Sequence, residues 1–398
     1  MCVLNLLKMN DSGYELYGDE INTLVCRSFS DGYYPLFSYL RDCGAFTPSR
    51  LGDTKELLTF KTVILEPLKR STVAFGRHVN IFFHLAESLW VLSGRDDLKF
   101  IALFNSRFRS SSDDGISLHG AYGKRLRSSR GQGGAPVDQF YEACAKLNEF
   151  PDLRRLVVSL WDSGLDLGNP SRDLPCNTQL MFRVREGELY TTVVNRSNDL
   201  HWGVIANIFQ FSLLSEVMAL LLDLGFVKQT HIAQSLHYYL DNPLNQKLNG
   251  ERLHDHFYAL YPPSPLVFNF AAGTDEFRGR FDELDGVLRS LPELILEAFD
   301  KGNEPEDLWH DSACFCLVSD SFYDIARLLL LYACYQKKLL TEENREALRK
   351  RCVQLLLDTR ASFRHQDYWA LAVNHFLCRM NGRHTFVDQI SDVNLGNY

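Results

Sequence analysis

This 398-residue sequence predicts an α+β fold followed by an all-helical C-terminal extension. Three observations lead there. Short strand-like runs recur at residues 57–68, 155–161, 178–184 and 189–195, the last two flanking Glu186-Gly187, a dipeptide suited to a hairpin turn. Apolar residues at helical spacing fill residues 79–94, which stop at a glycine, and residues 203–224. From about residue 288 only helical patterns remain.

Taken in order, residues 1–48 mix short helical and turn-like pieces and end at Thr47-Pro48-Ser49-Arg50, where proline disfavours a continuing helix. They form an N-terminal segment before a main domain over 49–287. Residues 110–120 and 128–134 are rich in Ser, Gly and Asp and read as surface loops. The run Arg130-Gly131-Gln132-Gly133-Gly134 lacks the preceding strand and following helix of a phosphate cradle, so a mobile loop is the better reading. Residues 140–150 read as a helix, and 265–270 (PLVFNF) return to strand character. Within the extension, 288–398, Ile325, Leu328, Leu329 and Tyr332 form an apolar stripe that reads as core. Thr341 followed by Glu342 and Glu343 reads as a helix start, with acids at the positive end of the dipole.

Composition narrows the function classes. At 45% hydrophobic and 23% charged the chain is an ordinary globular one, and a net charge of −8 argues against a basic face for a nucleic-acid polymer. A small anion needs only a local group of arginines. The greasiest stretch, residues 328–333, is too short to span a bilayer, so no membrane partner is expected. Residues 1–9 lack the pattern of a secretory signal, and the ten cysteines are scattered without framework spacing, which together predict a cytoplasmic protein. Cys314 and Cys316 lack a second Cys or His pair, so no metal is expected there.

Three places carry polar chemistry. Cys176 follows Asp173-Leu174-Pro175 at the start of a strand, where a side chain can project into a cleft; a small buried hydrophobe and a nucleophile both fit that position. Arg154 and Arg155 adjoin an apolar strand. Arg196 and Ser197 pair a guanidinium fork with a hydroxyl, as phosphate recognition requires, although structural salt bridges would use the same arginines.

Residues 195–208 (NRSNDLHWGVIANI) resemble the nucleotide-binding signature of thymidylate synthases, in which Arg-Ser-x-Asp is followed by glycine and then Asn-Ile. Pro175-Cys176 resembles that family's catalytic Pro-Cys, at the family's distance before Arg196. Further matches at family spacing are Arg50, Glu87 with Trp90 and Gly94, Tyr122-Gly123-Lys124, Arg154-Arg155, and His237 with Tyr239. The resemblance runs from roughly residue 33 to 287. It implies a thymidylate synthase-like fold, a mixed sheet packed by helices, and transfer of a one-carbon unit from 5,10-methylenetetrahydrofolate to C5 of a uridine-type nucleotide monophosphate, dUMP foremost.

By the same resemblance, Cys176 supplies the thiolate that adds to C6, and Arg196 both favours that thiolate and binds the 5′-phosphate with Arg50 and Ser197. Arg154 and Arg155 reach the phosphate in a neighbouring subunit, which implies a homodimer with shared sites. Asn207 reads the base by donating to O4 and accepting from N3–H. Glu87 organises proton relay, Tyr122 assists removal of the C5 proton, Asp199 supports the folate and the base, and His237 and Tyr239 hold the ribose.

The sequence also departs from the family. No tryptophan stands at residues 107–110; Asn177, Ser235 and Ala206 replace the family's His, Asp and Phe; and the chain continues well beyond the family's short closing peptide. A site that admits water would release a hydroxymethyl rather than a methyl product. A catalytically silent nucleotide-binding protein is the alternative of another class, although such a protein would not need Cys176, Glu87, Tyr122 and Asp199 together.

Overall fold

The computed structural model describes residues 13–18, 21–74, 77, 79–248, 265–266, 268, 270, 276–302, 320–341, 345–358 and 372–373. Nine strands among these form one mixed sheet: β1 (Tyr14–Tyr17), β2 (Thr23–Cys26), β3 (Ala45–Ser49), β4 (Gly52–Ile64), β7 (Val158–Ser159), β8 (Asn177–Arg185), β9 (Glu188–Asn195), β10 (Asn198–Asp199) and β11 (Gly225–Tyr239). Its main order is β1-β2-β4-β11-β9-β8-β7, with β3 paired to β4 and β10 to β11. The pairs β2/β4 and β9/β11 are parallel, while β4/β11 and β8/β9 are antiparallel. Strands β5 (Ser129–Arg130) and β6 (Pro136–Val137) make a separate small ribbon.

The β8–β9 hairpin turns on Glu186 and Gly187, both in the left-handed region, as a two-residue turn of the type matched to strand twist requires. Helix α1 (Phe29–Cys43) ends at Gly44, before Pro48, and Pro48 itself lies in β3. The N-terminal segment is therefore woven into the sheet through β1, β2 and β3. Helix α2 (Ile81–Leu92) is capped by Asn80, whose Oδ1 accepts from Phe83 N at 3.2 Å. Short helices α3 (Leu98–Phe104), α4 (Phe108–Ser111) and α5 (Tyr122–Arg127) follow, then α6 (Gln139–Glu149), α7 (Ser163–Asp166), α8 (Gly203–Leu221) and α9 (Leu244–Leu248).

Helix α8 has the length and hydropathy of a bilayer span, which the sequence reading overlooked; 89% of its apolar window is buried within the protein, as in a core helix. Its first turns join α1, β2, β4 and β11 in one hydrophobic cluster, and its later turns pack with α2 and the C-terminal helices in another.

The C-terminal region is helical where described: α10 (Phe277–Lys301), α11 (Asp320–Thr341) and α12 (Arg345–Asp358). The division expected between residues 287 and 288 falls inside α10. Buried residues of α10 and α11, among them Leu288, Leu291, Leu328 and Tyr332, share one core with α2, α3 and α8. Two strand expectations are corrected: residues 155–161 pair only over Val158–Ser159, and residues 265, 266, 268 and 270 belong to no strand. Thr341 closes α11, and Glu342 and Glu343 lie outside the described residues, as do Cys314 and Cys316.

Candidate active site

Cys176 ends the loop that leads into β8. Gly120 lets this loop close down, because a Cβ there would stand 2.9 Å from the Asp173 carbonyl oxygen and from the Pro175 nitrogen. Arg196, the residue after β9, ties the loop from the other side. Its Nε donates to Pro175 O at 2.9 Å and its Nη2 to Leu174 O at 3.0 Å, with the same Nη2 3.6 Å from Cys176 Sγ. The guanidinium favours the thiolate as expected, but burial outweighs it and the Asp173 carboxylate opposes it, so the Cys176 thiol is held above its ordinary value. Arg196 thus pulls toward the anion as expected, against burial and Asp173.

Tyr122 starts α5, and its Oη accepts from Asn177 N at 3.3 Å, beside Cys176. Burial, reinforced by proximity to Cys176, drives its phenol strongly upward, so it is a neutral donor and acceptor. Glu87 enters from the middle of α2. Burial pushes its carboxyl up to about 8, and Oε2 has no hydrogen-bond partner in the chain. Trp90, one turn on, sets the helix against the following loop through Nε1 donating to Asp97 O at 3.1 Å. His84, one turn before Glu87, is pushed down to about 3 by burial and is therefore neutral.

The base-reading position is a knot of amides. Asn207 Oδ1 accepts from Asn177 Nδ2 at 2.9 Å and from Gln210 Nε2 at 2.8 Å, while its Nδ2 donates to Asn198 Oδ1 at 3.1 Å. Both lone pairs of that oxygen are used, which leaves Asn207 with one spare N–H and no acceptor. The acceptor expected of Asn207 is present instead on Gln210, whose buried Oε1 has no partner in the chain. Asp199 Oδ1 accepts from His201 N and Trp202 N, both at 2.8 Å, and its Oδ2 is likewise buried and unpartnered.

Cys176, Glu87, Tyr122, Asp199, Ser197, Asn207, His237 and Tyr239 line one cavity of about 660 Å³. Unpartnered buried oxygens on Glu87, Asp199 and Gln210 within one cavity mark a place built for a polar ligand. His237 and Tyr239 sit on alternate positions of β11, their rings edge to face at 5.4 Å. Arg196 adjoins the cavity at Cys176. Arg50 is exposed at the tip of the β3–β4 hairpin, near enough to Tyr239 for its charge to lower that phenol, although burial leaves the net shift upward. Arg154 and Arg155 are exposed beside β7 and lie outside the cavity. The glycine run after Arg130 is a short 3-10 turn between β5 and β6, with Gly133 and Gly134 exposed.

Several cavity residues were not foreseen. Gln210 falls one turn after Asn207, a spacing that could have revealed it. Trp202, inside the recognised signature, is 42% exposed and lies between the guanidinium groups of Arg77 and Arg107, each 4.4 Å from its ring. An indole thus faces the cavity although residues 107–110 carry none. Tyr332 and Gln336 also line the cavity from α11, far away in sequence.

Comparison with known proteins decides the family: the model for thymidylate synthase matches residues 35–260. The chain belongs to the thymidylate synthase family. Thymidylate synthase from Symbiobacterium thermophilum is 31% identical over 208 residues, 49% of this chain and 72% of that protein. Deoxyuridylate hydroxymethyltransferase of Pseudomonas phage M6 is 48% identical over 160 residues, 40% of this chain and 44% of the relative. The Bacillus phage SP01 protein of the same name is 39% identical over 198 residues, 47% and 52% of the two chains. The chain spans about half the length of these two phage relatives. Thymidylate synthase family membership accounts for the matched span, and α10, α11 and α12 lie beyond it.

Proposed function

We propose that this protein transfers a one-carbon unit from 5,10-methylenetetrahydrofolate to C5 of dUMP through a covalent adduct at Cys176. The observation that carries the reading is the convergence of Cys176, Tyr122, Glu87 and Asn207 on one cavity in a chain of this family. Cys176 Sγ adds to C6 of the uracil, and the electron pair moves to O4, making C5 nucleophilic. Neutral Glu87 holds a proton at the O4 side. Asn207 N–H and Gln210 Oε1 offer a donor and an acceptor that suit O4 and N3–H of uracil, where cytosine presents the opposite polarity. Tyr122 receives and passes on the C5 proton.

The cavity fits a folate on its own chemistry: the Trp202 face and the unpartnered Asp199 oxygen suit a flat heteroaromatic with polar edges. When bound, the folate supplies the carbon at the oxidation level of formaldehyde. Arg50, Arg196 and Ser197 bind the 5′-phosphate, and His237 and Tyr239 hold the ribose. The exposed Arg154 and Arg155 reach a partner's site in a homodimer. Light scattering is expected to give twice the 45.7 kDa chain mass; a monomer at assay concentration that is fully active would refute the shared site. The ten cysteines, scattered without framework spacing, support a reducing, cytoplasmic setting.

A methyl product requires hydride from the folate, whereas a hydroxymethyl product requires water at the exocyclic carbon. The phage relatives' names and Arg107, standing where the family's tryptophan is absent, favour the hydroxymethyl outcome. Mass analysis after incubation of each uridine and cytidine monophosphate with methylenetetrahydrofolate is expected to show dUMP gaining CH2O, with tetrahydrofolate released. A gain of CH2 with dihydrofolate formation would establish the methyl product instead.

A further inference from the structure

We infer that α11, in the C-terminal helical region beyond the family match, is part of the ligand site, and that the Gln336 side-chain amide contacts the folate co-substrate. This rests on the function proposed above. Helix α11 packs against α2, α3 and α10, and nearly every residue from Phe322 to Tyr335 is buried. Most of that burial is hydrophobic core. Two side chains one turn apart differ, because Tyr332 and Gln336 border the same cavity as Cys176.

Tyr332 is fixed there. Its ring is stacked on Phe82 at 4.5 Å and 20° and on Phe104 at 5.6 Å and 15°, and its hydroxyl accepts from Asn80 Nδ2 at 3.3 Å. Asn80 also caps α2, so Tyr332 holds the end of the helix whose second turn presents Glu87. Glu87 stands seven positions after Asn80, roughly 10 Å along the axis of α2 at helical rise. The Tyr332 end is therefore the part of the cavity remote from Glu87. Phe83 and Phe108, 5.8 Å apart between ring centres, line the same cavity. With Tyr332 and the Trp202–Arg107 stack they give the cavity aromatic walls, which suit a second flat ring system rather than a phosphate or a ribose.

Gln336, half-buried one turn after Tyr332, brings a donor and an acceptor to this wall. A primary amide matches the amide and ring-nitrogen edges of a folate. The nucleotide, anchored by Arg196 and Asn207 near Cys176, lies at the other end. Gln336 should thus affect one substrate and not the other.

The test is calorimetric titration of the full chain, first with dUMP alone and then with tetrahydrofolate at saturating dUMP, a pair that cannot react. Gln336→Ala is expected to weaken tetrahydrofolate binding about 5- to 10-fold, the size of one hydrogen bond, and to leave the dUMP Kd unchanged. Tyr332→Phe keeps the ring stack and is expected to weaken tetrahydrofolate by a smaller factor through the loosened Asn80. Unchanged tetrahydrofolate affinity in Gln336→Ala would make α11 simply core and overturn the inference. Equal loss of both ligands would overturn it as well, by showing a general effect on folding. Failure of the functional reading is distinguishable, since the wild-type protein would then bind no dUMP or release no tritium from C5-labelled dUMP.

Discussion

Cys176→Ser is expected to lower release of tritium from C5-labelled dUMP by at least about 10³-fold, because removal of a covalent nucleophile disables every later step. The exchange reports C6 addition and loss of the C5 proton, so it is independent of whether a methyl or a hydroxymethyl group is finally made. Serine preserves the size and the backbone, and the hydrogen bonds that shape the loop do not use the sulfur: Arg196 holds Pro175 O and Leu174 O, and Gly120 makes room for the loop. What is lost is acidity. Arg196 draws the thiol toward its anion against burial and Asp173, and a hydroxyl starts from a far higher pKa than any guanidinium could offset. Binding of dUMP should persist in the variant, since Arg196, Asn207 and Gln210 remain. Wild-type rates of tritium release in Cys176→Ser would exclude the adduct and with it the proposed chemistry.

The site was more legible in the sequence than the fold around it. Cys176, Arg196, Asn207, His237 and Tyr239 stand at spacings set by the register of β8, β9 and β11 and the first turns of α8, so a family pattern reads them directly. The β8–β9 hairpin was equally plain, because Glu186-Gly187 interrupts two alternating runs. Strand β11 was not. Its buried face carries Gln229 and His231, joined at 3.0 Å, so polar residues occupy the positions where an apolar alternation would announce a central strand. The first two strands, β1 and β2, were hidden by their length, four residues each. Tyr332 and Gln336 could not have been assigned to the site, since a stripe of buried residues on a helix gives no indication of which two border a cavity. The Asn207 acceptor was misassigned for a related reason: an amide's free lone pairs depend on neighbours, here Asn177 and Gln210, that only the folded chain brings together.

Glu87→Gln is expected to lower activity by about 10²-fold or more, the usual share of a positioned proton donor, while raising thermal stability at alkaline pH. Both effects come from the same burial. In the folded chain the Glu87 carboxyl is pushed up to about 8, against an ordinary 4.5, and Oε2 has no partner. Below pH 4.5 the folded and unfolded chains both carry the proton, and Glu87 costs nothing. Between 4.5 and 8 the unfolded chain gives the proton up while the folded one keeps it, so stability falls as pH rises and the full penalty is in place above 8. A shift of this size corresponds to a few kcal/mol at order of magnitude, hence several degrees in Tm at pH 9 and almost none at pH 4. Glutamine keeps the shape and cannot ionise, so melting curves of the two proteins at those pH values isolate the effect. Activity of the wild-type protein should decline as pH passes about 8, when the proton held at O4 is lost. If Glu87→Gln melts no higher than wild type at pH 9, Glu87 is already ionised and solvated, and its role as a neutral acid fails with it.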